Sequence, residues 1–264
     1  MRASVLIGAF DSAATLPRAI DAVLTQTVAD LELIVIDDGS SDDSAAIAHA
    51  AAARDPRVRV LEMGRNVGIA RSLNAGIEAA RAPVVAVQDA DDFSAPQRLE
   101  RQLSVLDRWA DVAVVGCRMR EVDGAGRELA PRTTFASGDV RKALAHFNPI
   151  PNTSAALRRD AVLAAGGYDP RYCYAMEYDL WLRLAERWRV VALDEVLATR
   201  VMGSANVAAR AERAQTREAI AIRVRALRRR RTLRGASGLV APVVSYLTPM
   251  TVKRARRRRL GQAP

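Results

Sequence analysis

With 264 residues, half of them apolar, the chain is long enough for one large α/β domain with a full core, which excludes a disordered body. Its two cysteines, Cys117 and Cys173, lie far apart, so neither a disulfide framework nor a thiolate metal site is expected. The net charge of +10 is unevenly placed: all thirteen charged residues after Glu218 are basic, which leaves the first 218 residues at −3 and sets a mildly acidic body against a basic tail.

Short apolar runs alternate with helical patterns from the start, the signature of βαβ units around a parallel sheet. Residues 4–7 read as a first buried strand. Only Arg2 brings charge ahead of it and no long apolar leader follows, so the chain is expected to stay in the cytosol. Leu16, Ile20, Val23 and Leu24 then fall at helical spacing, with Pro17 tolerated in the first turn. Residues 31–36 form the second strand. The polar cluster 37–43 turns the chain, and Asp42 or Asp43 caps an Ala-rich helix running to Ala53. A third strand is expected over 58–63, a helix over 69–80, and a fourth strand over 84–87 that ends in Gln88-Asp89-Ala90-Asp91-Asp92. A helix over 96–109 and a strand over 112–116 follow. Gly124 and Gly126 then mark a hairpin between 118–122 and 128–129. Beyond it, Pro149, Pro151, Gly166, Gly167 and Pro170 break the chain into short pieces before a helix over 177–188, strands over 190–193 and 196–202, and an Arg-rich helix over 207–231. No apolar run reaches the ~20 residues of a spanning helix.

In an open parallel sheet, ligands bind outside the carboxyl ends of the strands. Asp37-Asp38 closes the second strand, and Asp89, Asp91 and Asp92 close the fourth, so carboxylates distant in sequence can meet in one crevice. Each cluster has a plainer reading as a turn before a helix cap, stronger for Asp-Asp-Gly-Ser than for three carboxylates ending an apolar strand. Crowded like charges call for a cation, and hard oxygen ligands favour Mg²⁺ or Mn²⁺ shared with the phosphates of a diphosphate ligand.

Taken in order, several segments carry a resemblance: Gly8-Ala9-Phe10-Asp11, Ile36-Asp37-Asp38-Gly39-Ser40, Asn66-Val67-Gly68, Leu73-Asn74-Ala75-Gly76, Asp89-Ala90-Asp91-Asp92, Gly166-Gly167-Tyr168-Asp169 and Tyr178-Asp179-Leu180-Trp181. Over residues 3–204 the chain resembles the inverting family 2 glycosyltransferases of the GT-A fold. The resemblance implies an open, mostly parallel twisted sheet flanked by helices. Residues 1–117 would form a nucleotide-sugar-binding half, 118–204 an acceptor half, and 205–264 a basic helical extension. It further implies that Ala9, Phe10, Asp11 and Asp38 hold the nucleotide base, that Asp89 contacts the donor ribose, and that Asp91, with Asp89, holds the Mn²⁺ or Mg²⁺ on the diphosphate. A UDP-sugar is the favoured donor. The general base falls to Glu177, where an Asp is usual in the family, with Asp179 as second choice. Tyr168, Asp169 and Trp181 are acceptor-side candidates, although Trp181 is also a natural core residue.

The chain departs from the family pattern where Met202 precedes Gly203-Ser204, since related sequences place a His there to complete the metal shell. A thioether is a poor ligand for a hard cation, so either water completes the shell, or metal binding is weakened, or activity is reduced. The two histidines, His49 and His146, lie far from the motifs and are expected to be structural. The leading expectation is transfer of a sugar to a glycan or lipid-linked acceptor in cell-surface polysaccharide synthesis. The alternative is a catalytically weakened sugar-nucleotide-binding or scaffolding protein. No P-loop and no Gly-x-Gly-x-x-Gly is present. The basic clusters flanking residues 239–247 suit an anionic membrane surface, placing the protein on the inner face of the plasma membrane. They hold too little aromatic surface for nucleic acid.

Overall fold

The computed structural model describes residues 1–130, 134–202 and 205–230, together with Val243. Strands β1 (Ala3–Ala9), β2 (Leu31–Asp37), β3 (Val58–Glu62) and β4 (Val84–Val87) are parallel and lie in the order β3-β2-β1-β4. Helices α1 (Leu16–Leu24), α2 (Ser44–Arg54) and α3 (Ile69–Ala79) join them. The strands are apolar on both faces because both faces are covered. Val5, Ile7, Leu33 and Val35 pack with α1, α2 and the later helix α4 (Arg98–Arg108). Leu6, Ile34 and Ile36 point the other way, into a core shared with α3 and with α6 (Met176–Leu184).

The second half of the sheet is mixed. Strand β8 (Ala156–Arg158) runs antiparallel between β4 and β6 (Val112–Val122), and leads into α5 (Arg159–Ala164). Strand β6 is parallel to β9 (Arg189–Val201), and β9 also pairs antiparallel with the two-residue strands β5 (Phe93–Ser94) and β7 (Gly138–Asp139). Where the sequence predicts two strands each, β6 and β9 run unbroken, and β6 crosses the expected 117/118 boundary. Register shifts on either side of Arg118 absorb the irregularity. The expected hairpin reduces to an isolated bridge between Val122 and Glu128.

The Arg-rich helix α7 (Ala205–Arg230) is expected from sequence to open a separate basic extension. Over 213–229 it packs on the body instead. Ile222 and Ala226 are buried in the core of α6. Arg223 Nε donates to Tyr178 Oη at 2.7 Å, Arg225 pairs with Asp169 at 3.0 Å, and Arg229 with Glu186 at 3.2 Å. Several of the arginines that make the tail look basic are thus committed to partners inside the fold. The cluster Arg256 to Arg259 and, apart from Val243, the apolar stretch 239–247 lie outside the described residues. Among the described residues no helix is long and apolar enough to cross a membrane.

Candidate active site

The carboxyl ends of β1, β2 and β4 open on a cleft of about 670 Å³, closed on its far side by residues of α6 and α7. Ala9, the last residue of β1, and Phe10 and Asp11, from the loop after it, line it. Asp11 is the one non-glycine residue with positive φ among the described residues, at +47°, a conformation Asp tolerates better than most side chains. Its Oδ1 accepts hydrogen bonds from Ser41 N (2.8 Å) and Ser41 Oγ (3.1 Å), which ties the first loop to the second. Phe10 is 47% exposed at the cleft. Asp38 is buried, and its two oxygens accept the backbone N–H groups of Val67 (2.8 Å) and Gly68 (2.9 Å). Gly39 is required beside it: φ is +75°, and a Cβ there would come within 2.5 Å of the Arg65 carbonyl carbon.

The second acidic cluster is held from behind. Gln88 Nε2 donates to Ala19 O at 2.7 Å, the buried Arg98 guanidinium donates to Val87 O and Thr153 O, and Asp89 N donates to Thr153 Oγ1 at 3.0 Å. Arg18 of α1 donates to Asp91 O at 3.1 Å. Carboxylate oxygens of Asp89, Asp91 and Asp92 lie within 4.8 Å of one another. Asp91 is exposed, Asp89 half-buried and Asp92 buried. Burial, with the charges of Asp89 and Asp91 adding to it, pushes the Asp92 carboxyl up to about 8. Burial likewise lifts Asp89 to about 6, against the opposing charge of Arg200. The short pairing of β5 with β9 brings Arg200 here, with Nε 3.9 Å from Asp92 Oδ2, while Val201 N donates to Asp92 Oδ1 at 3.2 Å. An all-oxygen donor set of graded burial, with protons held on by burial and, after it, mutual repulsion, fits a hard divalent cation.

Glu177, in the first turn of α6, lines the same cleft. Its Oε1 accepts a hydrogen bond from Asn148 Nδ2 at 2.9 Å. Burial raises its pKa to about 7, and the nearby charge of Asp89 adds to the rise.

The glycosyl transferase family 2 profile matches residues 4–164. The chain belongs to this family. It is 31% identical over 198 residues to the amylovoran biosynthesis glycosyltransferase AmsE of Erwinia amylovora, covering 74% of each chain. Against the putative glycosyltransferase EpsE of Bacillus subtilis it is 32% identical over 200 residues, covering 74% of this chain and 71% of that one. Among solved structures, the mannosyltransferase PcManGT of Pyrobaculum calidifontis in complex with GDP-Man and Mn²⁺ matches with a TM-score of 0.74 at 18% identity, over 100% of this chain and 76% of that one. S. aureus TarS 1-349 in complex with UDP matches with a TM-score of 0.65 at 17% identity, over 83% of this chain, which spans 65% of that one. At such identities the likeness is one of fold, and the fold is GT-A.

Other residues that the sequence resemblance assigned to the site of this family 2 glycosyltransferase lie elsewhere. Asp179 is 1% exposed and does not line the cleft; its Oδ2 accepts Arg183 Nε at 2.6 Å and its Oδ1 lies 4.0 Å from Arg229. Two positions beyond Glu177 on a helix is more than half a turn away, so the second-choice base faces the ion pairs behind the site. Trp181 has no exposed surface, and its Nε1 donates to Ile150 O at 2.9 Å. Tyr168 is 1% exposed and donates to Asn152 Oδ1 at 2.7 Å. Asp169 pairs with Arg171 and Arg225. The acceptor expectation for these three is corrected: two rings closed off in the core offer no face to a sugar, and Asp169 is ion-paired on both sides. Met202 N donates to Val122 O at 2.8 Å, and its side chain does not line the cleft. Gly203 and Ser204 lie outside the described residues.

Sequence reasoning missed Arg200, Asn152 and Gln215, all of which line the cleft. Arg200 gave one faint signal, a charge closing the run Val196-Leu197-Ala198-Thr199. The other two gave none. Glu177 and the whole α7 wall fall beyond the matched segment, which ends at residue 164.

Proposed function

We propose that this protein transfers a sugar, with inversion, from a nucleoside-diphosphate sugar to a hydroxyl of a glycan or lipid-linked acceptor in polysaccharide assembly. The observation that carries the reading is the meeting of Glu177 with Asp89 and Asp91 in one cleft, from elements about 90 residues apart in the chain. The relative named for amylovoran biosynthesis and the solved complexes with UDP and with GDP-Man and Mn²⁺ support it.

In this reading the loop 9–11 and Asp38 seat the nucleotide, with the exposed ring of Phe10 against the base. Asp89 reaches the ribose. Asp91 and Asp89 hold Mn²⁺ or Mg²⁺, which when bound would act as a Lewis acid on the diphosphate. Arg200 adds a fixed positive charge on the same side, where negative charge grows as the leaving group departs. Glu177, ionised, takes the proton of the acceptor hydroxyl as its oxygen attacks the anomeric carbon and the bond to phosphate breaks. Met202 lies off the cleft, so this reading asks nothing of it. UDP is the first donor nucleotide to test. Calorimetric titration of UDP with and without Mn²⁺ is expected to show metal-dependent binding that Asp91→Ala abolishes. Silence of UDP, GDP and dTDP alike in the unaltered protein would instead favour the scaffolding alternative.

A further inference from the structure

Glu177 stands between two cavities. On one side is the cleft just described; on the other is a groove of about 330 Å³ between the segment 146–148 and α7. Glu177 and Gln215 line both. The groove's wall is formed by His146, Phe147 and Asn148 on one side and by Gln215, Thr216 and Ala219 of α7 on the other. We infer that this groove is the subsite for the acceptor, and that it takes a neutral sugar ring, with α7 as a wall of the active site. The inference rests on the transferase reading above.

Three observations carry it. In-line displacement needs the nucleophilic hydroxyl on the face of the anomeric carbon opposite the departing phosphate, beside the base. A groove that shares Glu177 and Gln215 with the nucleotide cleft and is otherwise lined by different residues places a hydroxyl beside the base and outside that cleft. Next, the lining combines the half-buried Phe147 ring with hydrogen-bonding groups: the Asn148 and Gln215 amides and the Thr216 hydroxyl, with the His146 imidazole beside them. An aromatic face beside amides and hydroxyls matches the apolar ring face and hydroxyl edge of a sugar. Among the described residues the one arginine or lysine in the lining, Arg223, donates to Tyr178 Oη and to His146 O, which holds it to the wall rather than to an incoming phosphate. Finally, the groove's volume lies at the low end of the roughly 300–1,000 Å³ usual for small-ligand clefts, which suits the end of a glycan better than an acyl chain.

In the transfer the acceptor O–H gives its proton to the Glu177 carboxylate, the acceptor oxygen bonds the anomeric carbon, and the bond from that carbon to the phosphate oxygen breaks, releasing the nucleoside diphosphate. Asn148, bonded to Glu177 Oε1, fixes the carboxylate between the two cavities. It acts as a positioning residue.

Saturation-transfer NMR on the full chain, with methyl glycosides of glucose, galactose, mannose and N-acetylglucosamine and with a short-chain polyprenyl phosphate as probes, tests the assignment. UDP affinity with Mn²⁺ and a thermal melt are measured on the same samples. At least one methyl glycoside is expected to bind, and Phe147→Ala is expected to weaken it about three- to tenfold, with UDP affinity and melting temperature unchanged. Thr216→Trp, which fills the groove from the α7 side, is expected to abolish glycoside binding in a protein that still melts cooperatively. Binding of the polyprenyl phosphate alone, no glycoside signal in the unaltered protein, or glycoside binding untouched by both variants would overturn the proposal. Because UDP binding is read separately, its loss would count against the transferase reading and leave the glycoside result to judge the groove.

Discussion

A carboxylate that must take a proton from a hydroxyl serves best with a pKa near the working pH, and burial has brought Glu177 to about 7. Two residues later, Asp179 is tied into ion pairs with Arg183 and Arg229. The two acids therefore predict opposite phenotypes. Glu177→Gln is expected to lower kcat about 10²–10⁴-fold with UDP affinity unchanged, and in the unaltered enzyme kcat/KM should rise with pH through about 7, as the base ionises. Asp179→Asn should leave the cleft lining intact and cost about 1–3 kcal/mol in urea unfolding, because it removes the buried carboxylate with which the half-buried Arg183 and Arg229 pair. A kcat loss in Asp179→Asn without loss of stability would reverse the assignment. The residue scale is also where sequence reading was weakest. Nothing local to Tyr178-Asp179-Leu180-Trp181 tells which side chain faces the cleft, since the helical pattern gives relative angles and not the direction of the core.

At the scale of elements, α7 matters most. Glu218, one turn beyond Gln215 and two residues beyond Thr216, accepts the backbone N–H groups of Cys173, Tyr174 and Ala175 at 2.8–3.0 Å. That clasp fixes the segment just before α6, the helix that carries Glu177, and Cys173 and Tyr174 themselves line the cleft. Glu218→Ala is expected to remove hydrogen-exchange protection from these three amides and to lower kcat on the order of tenfold through misplacement of Glu177. Glu218→Gln, which keeps one acceptor oxygen, should recover part of both. Unchanged exchange at residues 173–175 would sink the clasp as a positioning device. The helix itself was legible as a helix in the sequence. Its docking was not, because among the described residues its buried apolar seam is Ile222 and Ala226, with Ala219 packed beside them, amid arginines that find partners only once α6 and the 169–175 segment are in place.

For the whole molecule, the acidic end of the sheet stores an electrostatic cost. Asp92 and Glu177 hold protons to about 8 and 7 when folded, far above their ordinary values near 3.8 and 4.5, so between about pH 4 and 8 the folded state binds more protons than the unfolded one and stability falls as pH rises. Relative to Asp92→Asn, the metal-free protein should therefore lose on the order of a few kcal/mol, several degrees in melting temperature, from pH 5 to pH 8, and Mn²⁺ should restore it at the upper end. Parallel melting curves would refute this. The parallel half of the sheet, its helices and the two acidic strand ends were determined by the sequence alone, because residue periods of 2 and 3.6 and turn glycines act within a dozen neighbours. The burial of Trp181, the turning of Asp179 away from the cleft, the approach of Arg200 to Asp92 through the two-residue strand β5, and the seating of α7 were decided only by the tertiary structure. Each depends on contacts between segments far apart in the chain, where local pattern carries no information about which faces meet.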